Sequence, residues 1–219
     1  AGLKTFNLQA HEASVSDEAI GLLAKGLSSL KSLQNLSLSF SNTKCGDSAL
    51  HELHNAIINL KSLRMVQLVF NGTKIGDMGI TSLAHCLEGL NSLRYLRIEV
   101  SRTEVTQKYA EHLGHGLQQL IGLSSLYLDL SGTLLKNDGA FRLSAALEQL
   151  KTLHSLHIIL QETPISDVGV DNLIKTIQKL PDVSSMSLDL QNCILTEKFK
   201  QELRDIPLNY QRKHRIILQ

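Results

Sequence analysis

A period of 30 residues runs through the chain and constrains its fold more than any other feature. Leucine recurs at that spacing six times and valine takes the seventh place, at Leu3, Leu33, Leu63, Leu93, Leu123, Leu153 and Val183. The copies align without insertion or deletion on the pattern LxxLxLxLxxTx(I/V/L)xDxGxxxLxxxLxxLxx. A fixed period of this length indicates a repeat architecture in which each unit packs only against its neighbours.

Each copy, numbered from 1 at the first residue of that series, begins as a strand and continues as a helix. Repeat positions 4, 6 and 8 are apolar in every copy, as Leu126, Leu128 and Leu130 illustrate. This alternation predicts a strand with one buried face. Position 21 is always leucine, and apolar residues mostly follow at positions 25 and 28, which is helical spacing. Serine or glycine before an acid marks four predicted helix starts, at Asp17, Asp47, Asp77 and Asp167. There serine or aspartate can accept hydrogen bonds from N–H groups of the first turn, and the acid suits the helix dipole.

Strands that repeat in one direction must be parallel and joined by right-handed helical crossovers. Strands pack about 4.8 Å apart, whereas helices need about 8–10 Å, so stacking both layers forces a curve. The sequence therefore predicts an α/β solenoid, a curved horseshoe with a parallel sheet on the concave side and helices on the convex side. We expect one domain over 1–219, with seven 30-residue repeats starting at 3, 33, 63, 93, 123, 153 and 183.

The two ends of this solenoid differ from its middle. A closing strand is expected near 215–218, with Lys213, Ile216 and Leu218 on repeat positions 1, 4 and 6. Pro207 and Tyr210 predict an irregular last helix. The first copy carries no polar cap, so its edge either belongs to a fragment or pairs with something, such as a second copy of the chain.

The motif LxxLxLxLxxT with a helical second half resembles a leucine-rich repeat, closest to the ribonuclease-inhibitor-like class, with a 30-residue repeat. Two departures are visible: an extra apolar step, and no asparagine ladder in the turn. Threonine replaces the asparagine, and its hydroxyl is expected to bond nearby backbone amides, at Thr43, Thr73, Thr103, Thr133 and Thr163. The resemblance implies a protein-binding scaffold, and the longer repeat resembles forms from single-celled eukaryotes.

Composition narrows the classes of partner. With 22 basic and 21 acidic residues, the chain lacks the concentrated positive charge that nucleic acids or anionic membranes require, so neither is expected as a partner. Three widely spaced cysteines, Cys45, Cys86 and Cys193, predict neither a disulfide framework nor a zinc site. We expect a reducing, cytoplasmic location. Sequons at Asn35 and Asn71 leave a secreted or processed form open.

Candidate binding residues lie at positions 3, 5 and 7, whose side chains point to the concave face. The central copies bring together the residue types that anchor protein interfaces: Tyr95, Arg97, Glu99, Tyr127, Asp129 and His157. The alternative is a solvated sheet with cross-strand charge pairs, such as Arg97 with Asp129.

Catalysis, metals and cofactors are not expected. The pairs His51/His54 and His112/His115 fall on the predicted convex helices, and His154/His157 falls on a strand. Each pair lacks the further ligands of a chelating site. An open sheet does not exclude water from the concave acids.

Three functions remain open. The first is a non-enzymatic module that binds a protein partner on the concave face. The second is an assembly protein whose solenoid ends stack into arrays. The third, implied by the resemblance alone and less favoured, is a GTPase-regulatory repeat protein.

Overall fold

The structure, a computed structural model, describes residues 2–206 and 214–218, with the side chains of 109–111 and 214 outside that description. Strands and helices alternate along these residues. They are β1 (Thr5–Gln9), α1 (Asp17–Leu27), β2 (Asn35–Ser39), α2 (Asp47–Ile57), β3 (Met65–Val69), α3 (Asp77–Leu87), β4 (Tyr95–Glu99), α4 (Gln107–Gln118), β5 (Ser125–Asp129), α5 (Asn137–Leu147), β6 (Ser155–Ile159), α6 (Asp167–Gln178), β7 (Ser185–Asp189), α7 (Glu197–Asp205) and β8 (His214–Ile217). No described helix is both long and apolar enough to cross a membrane.

All eight described strands form one parallel sheet in chain order, from β1 to β8. Each strand therefore pairs with its sequence neighbour, and each helix from α1 to α5 packs against the helix of the next repeat. This is the predicted α/β leucine-rich-repeat solenoid, with the strands on the concave side and the helices on the convex side.

The core lies between the sheet and the helices and is built from the predicted apolar columns. Leu128 at position 6 has 0% of its surface exposed, as have Leu126 at position 4 and Leu38 in the second repeat. Successive copies stack in register, so that Ile98 pairs with Leu128 and Leu128 with Ile158. Because each apolar column continues through neighbouring repeats, the core is continuous along the solenoid.

The first-turn acids join one repeat to the next. Asp77 Oδ1 accepts from the backbone N–H of Thr106 at 2.8 Å, and its Oδ2 accepts from the Thr106 hydroxyl at 2.7 Å. The same bond to the following helix start is made by Asp17, Asp47, Asn137 and Asp167. We call this series the acid ladder, although an asparagine takes the place of the acid in the fifth repeat. The prediction that serine or aspartate accepts from its own first turn is confirmed at Ser16, which accepts from the N–H of Ala19. For the aspartates it is wrong, because their partners belong to the next repeat.

Glycines make room for the acid ladder. A Cβ at Gly79 would lie 2.6 Å from Asp47 Oδ1, and one at Gly169 would lie 2.6 Å from Asn137 Oδ1. Small residues at this position therefore admit the ladder side chain of the preceding repeat.

The turn threonines act as donors to carbonyl groups. Each hydroxyl donates to the backbone carbonyl three residues earlier at 2.6 to 2.7 Å, at Thr43, Thr73, Thr103, Thr133 and Thr163. The expected bond to backbone amides is therefore wrong in direction. Since all five side chains are buried, the bond satisfies a carbonyl that water does not reach.

The residue at repeat position 10, which precedes the turn threonine in five copies, adopts left-handed backbone geometry. Its φ lies between 53° and 65° in the seven described copies, at Glu12, Asn42, Gly72, Arg102, Gly132, Glu162 and Asn192. Four of the seven are glycine or asparagine, which tolerate this region best. The turn is thus the same in every repeat although its sequence varies.

The ends show one difference from expectation. β8 pairs with β7 so that Ile216 lies beside Leu188, which is position 6, and not beside position 4 as predicted. A shift of two residues keeps the same side chains on the same face, so the apolar pattern could not exclude it. Pro207, Tyr210 and Lys213 lie outside the described residues. At the other end, β1 pairs, among the described strands, with β2 alone, and Leu3 is 49% exposed.

Candidate functional site

The six predicted site residues lie on three adjacent strands of the concave face. β4 carries Tyr95, Arg97 and Glu99, β5 carries Tyr127 and Asp129, and β6 carries His157. We call them the central cluster. The sheet register places Arg97 beside Tyr127, Tyr127 beside His157, and Glu99 beside Asp129.

Arg97 is held by its own strand and by the next one. Its guanidinium forms an ion pair with Glu99, two residues along β4, and its Cζ lies 4.0 Å from the centre of the Tyr127 ring. The alternative interpretation paired Arg97 with Asp129 across the strands, but Glu99 on the same strand is the acid that the guanidinium meets. Burial opposes the charge of Arg97, but the hydrogen bond and the charge of Glu99 outweigh it, so that the pKa of Arg97 is raised.

Tyr127 lies between Arg97 and His157. The rings of Tyr127 and His157 are tilted by 31°, with their centres 6.1 Å apart. Burial and the charge of Glu99 raise the pKa of the Tyr127 phenol. Burial and the charge of Arg97 lower the pKa of His157, which therefore stays uncharged at neutral pH. The middle of the cluster is a half-buried row of arginine, phenol and neutral imidazole.

Two of the three position-7 acids are buried, although position 7 points to the concave face. Glu99 is 8% exposed and Asp189 is 7% exposed. Asn71 Nδ2 donates to Glu99 at 2.8 Å, and Gln161 Nε2 donates to Asp189 at 2.7 Å. Each acid is thus covered by an amide from position 9 of the preceding repeat, which compensates for its burial.

Sequence reasoning missed these amides. A signal for them exists, because both amides precede their acid by 28 residues. With the repeat frame known, that spacing places position 9 of one copy next to position 7 of the following copy.

Asp129 is the exception among these acids. Its Oδ1 accepts from the backbone N–H and the hydroxyl of Ser131, at 3.0 and 2.6 Å. Position 9 of the preceding repeat is Ser101, and no bond from the Ser101 side chain to Asp129 is formed. Asp129 is half-buried and lines an open groove of about 300 Å³.

We call this depression the rim groove, and its lining includes Ser101, Arg102, Asp129, Ser131, Ile159 and Glu162. It follows the carboxyl ends of the strands, at the left-handed turns. Arg102 and Glu162, two repeats apart, approach to 3.9 Å. Between them lies Gly132, where a Cβ would meet Arg102 Cγ at 3.0 Å. The absence of a side chain at 132 therefore leaves space for this exposed pair along the groove.

Histidines from two neighbouring convex helices, α2 and α3, lie close together. His54 on α2 has ring centres of both His51 and His85 within 6.4 Å. Burial, His85 and His51 all lower the pKa of His54. Within the described part of the chain, however, no three histidine, cysteine, aspartate or glutamate side chains are arranged to hold a metal ion.

The cysteine thiols are not poised for reaction. Cys45 and Cys86 are buried, and Cys193 is partly buried. Burial raises the pKa of the Cys86 thiol to about 12, and it raises the pKa values of Cys45 and Cys193 as well. Because the thiolate is the reactive form, burial makes these thiols less reactive than an exposed cysteine.

The parallel sheet with its alternating helices defines the fold class as a leucine-rich-repeat solenoid. No family model matches the sequence. No curated protein matches it either. Among solved structures, the chain is similar to an internalin (inlF) from Listeria monocytogenes strain 4b F2365, at 15% sequence identity and a TM-score of 0.23, over 96% of this chain and 86% of that one.

Proposed function

We propose that the chain is a non-enzymatic protein-recognition module of the ribonuclease-inhibitor-like class, which binds an extended segment of a protein partner on its concave face. The observation that carries this proposal is the arrangement of Arg97 over the Tyr127 ring, with His157 on the neighbouring strand. Tyrosine and arginine contribute most to binding where they are well packed and partly desolvated.

The central cluster is preorganised. The Glu99 carboxylate forms an ion pair with the Arg97 guanidinium, and the Asn71 amide in turn donates a hydrogen bond to Glu99. A side chain that is already ordered loses little conformational freedom when a partner docks, so more of the contact energy appears as affinity. The half-buried side chains of Arg97, Tyr127 and His157 offer both an apolar surface and polar edges, as interface centres do.

The same geometry disfavours catalysis. The cluster lies on an open sheet, and the half-buried imidazole of His157 faces the Tyr127 ring instead of a serine or cysteine nucleophile. A nucleophile, a base and an orienting group within hydrogen-bond reach would be needed for acyl transfer.

The test is a selection from a phage-displayed library of random 12-residue peptides on the immobilised chain, followed by fluorescence anisotropy with synthetic copies of the enriched peptides. We expect Tyr127→Ala/His157→Ala to weaken binding about tenfold or more, since hot-spot truncation costs at least that much. The control is Phe141→Ala/Arg142→Ala on the convex helix α5, which should leave binding unchanged. Equal losses in both variants, or none in the first, would contradict the proposal, as would a library without enriched peptides.

A second candidate is self-association, and the exposed edge of β1 favours it. Within the part of the chain that the structure describes, β1 has one hydrogen-bonded neighbour, and its apolar residues Phe6 and Leu8 are only half-buried. An unpaired strand edge is a template for another strand. On this hypothesis the mass from light scattering after size exclusion rises with protein concentration, and a constant monomer mass contradicts it.

A further inference from the structure

Three position-7 acids lie on the concave face, and only one leaves an oxygen available to a partner. Glu99 is occupied by Arg97 and Asn71, and Asp189 is occupied by Gln161 and the N–H of Gln191. Asp129 receives Ser131 alone, through Oδ1. Its Oδ2 has no hydrogen-bond partner among the described residues, and Asp129 forms no ion pair with them.

The cause is the length of one side chain. Position 9 is a glutamine before Asp189 and an asparagine before Glu99, and both reach the acid of the next repeat. Before Asp129 that position is Ser101, whose hydroxyl is too short to cross the same distance. The serine therefore leaves open the space that an amide fills beside the other two acids.

The rim groove at this point is long enough for a short extended segment. It touches five successive repeats, from Asn42 to Glu162. Four strand spacings of about 4.8 Å give a length of about 19 Å, which matches about six residues of extended chain.

The charges beside the groove favour a basic side chain. Arg97 is neutralised by Glu99, and Arg102 lies near Glu162, so the carboxylate of Asp129 is the unmatched charge. A half-buried carboxylate with an unbonded oxygen gains most from a charged donor, such as an ammonium or a guanidinium.

We propose that the partner segment places a lysine or arginine side chain in the rim groove and pairs it with Asp129. This inference rests on the proposed function, because it names the chemistry of the segment that the concave face binds. Asp129 selects the basic residue, and the Tyr127 and His157 row supplies the adjoining apolar contact.

Two variants and one matched control test the pairing. Asp129→Asn removes the charge but keeps an oxygen for Ser131. Ser101→Gln keeps the charge of Asp129. Glutamine is the residue that covers Asp189 from this repeat position, so the new side chain should donate to the free oxygen of Asp129. The control, Asp189→Asn, removes an equivalent charge that is already covered.

The affinity of the enriched 12-residue peptides is measured by fluorescence anisotropy at low salt, below the melting temperature of every variant. We expect these peptides to share lysine or arginine at one position. Their affinity should fall about tenfold or more in Asp129→Asn and in Ser101→Gln, and stay unchanged in Asp189→Asn. Replacing the shared basic residue by glutamine should weaken binding to the wild-type chain and leave binding to Asp129→Asn unaltered.

The outcomes separate this inference from the proposed function. Peptides that depend on Tyr127 and His157 but not on Asp129 would overturn the pairing and leave concave-face recognition standing. An equal loss in Asp189→Asn would also overturn it, because the effect would then be general to the face. Peptides indifferent to all of these residues, or no enriched peptides, would overturn both.

Discussion

Leu128→Asp is expected to abolish cooperative folding of the chain. Leu128 is 0% exposed and lies between Ile98 and Ile158 in the centre of the sheet. The variant loses the burial of a leucine, which is worth about 2–5 kcal/mol, and places a carboxylate where no cation or donor compensates it. The sum approaches the total stability of an ordinary domain, about 5–15 kcal/mol. Urea unfolding followed by circular dichroism measures the loss.

Tyr127→Ala is the control for this variant, one residue away on the opposite face of β5. Its side chain is half-buried and contacts Arg97 and His157. Loss of a cation–π contact at such a site costs about 0.5–2 kcal/mol, so the folded state should persist. If the two variants unfolded alike, the assignment of the buried and concave faces would be wrong.

Asp77→Ala is expected to destabilise the chain by about 2–3 kcal/mol. Both carboxylate oxygens bond Thr106 across the junction of the third and fourth repeats. The alanine variant leaves the N–H at the start of α4 without its partner, and hydrogen bonds to charged groups contribute about 1.5–3 kcal/mol each. Because a solenoid is stabilised at its repeat junctions, the loss should appear in the free energy of unfolding of the whole chain.

Gln107→Ala provides the comparison at the same repeat position. No acid-ladder bond to the next repeat is formed by Gln107, so its replacement should change the free energy of unfolding by no more than about 0.5 kcal/mol. Asp77→Asn keeps the Oδ1 acceptor, so its free energy of unfolding should lie between those of Asp77→Ala and Gln107→Ala. Equal stability of Asp77→Ala and Gln107→Ala would contradict a stabilising role for the acid ladder.

Much of the fold was predictable because it depends on periodicity. The alternation at Leu126, Leu128 and Leu130 places one face of β5 in the core, and the 30-residue spacing aligns it with its neighbours. The same spacing predicted that all six residues of the central cluster would share three adjacent strands. These conclusions need only the direction of each side chain, which the backbone period determines.

The individual contacts were less predictable. Arg97 had two acids on its face, and the sequence did not tell which of Glu99 and Asp129 it would meet. The acids of the ladder were located correctly at helix starts, yet their partners lie in the following repeat. Such choices depend on distances of a few ångströms between side chains far apart in sequence.

The sequence by itself determined the repeat, the buried columns and the strand–helix order, because hydrophobic burial and backbone periodicity act on every copy in the same way. Only the tertiary structure decided which polar groups are satisfied. Asn71 and Gln161 cover their acids, whereas Ser101 leaves Asp129 open. The reason is that hydrogen bonds are short and directional, so a difference of one side-chain length decides whether neighbouring repeats bond or leave a groove.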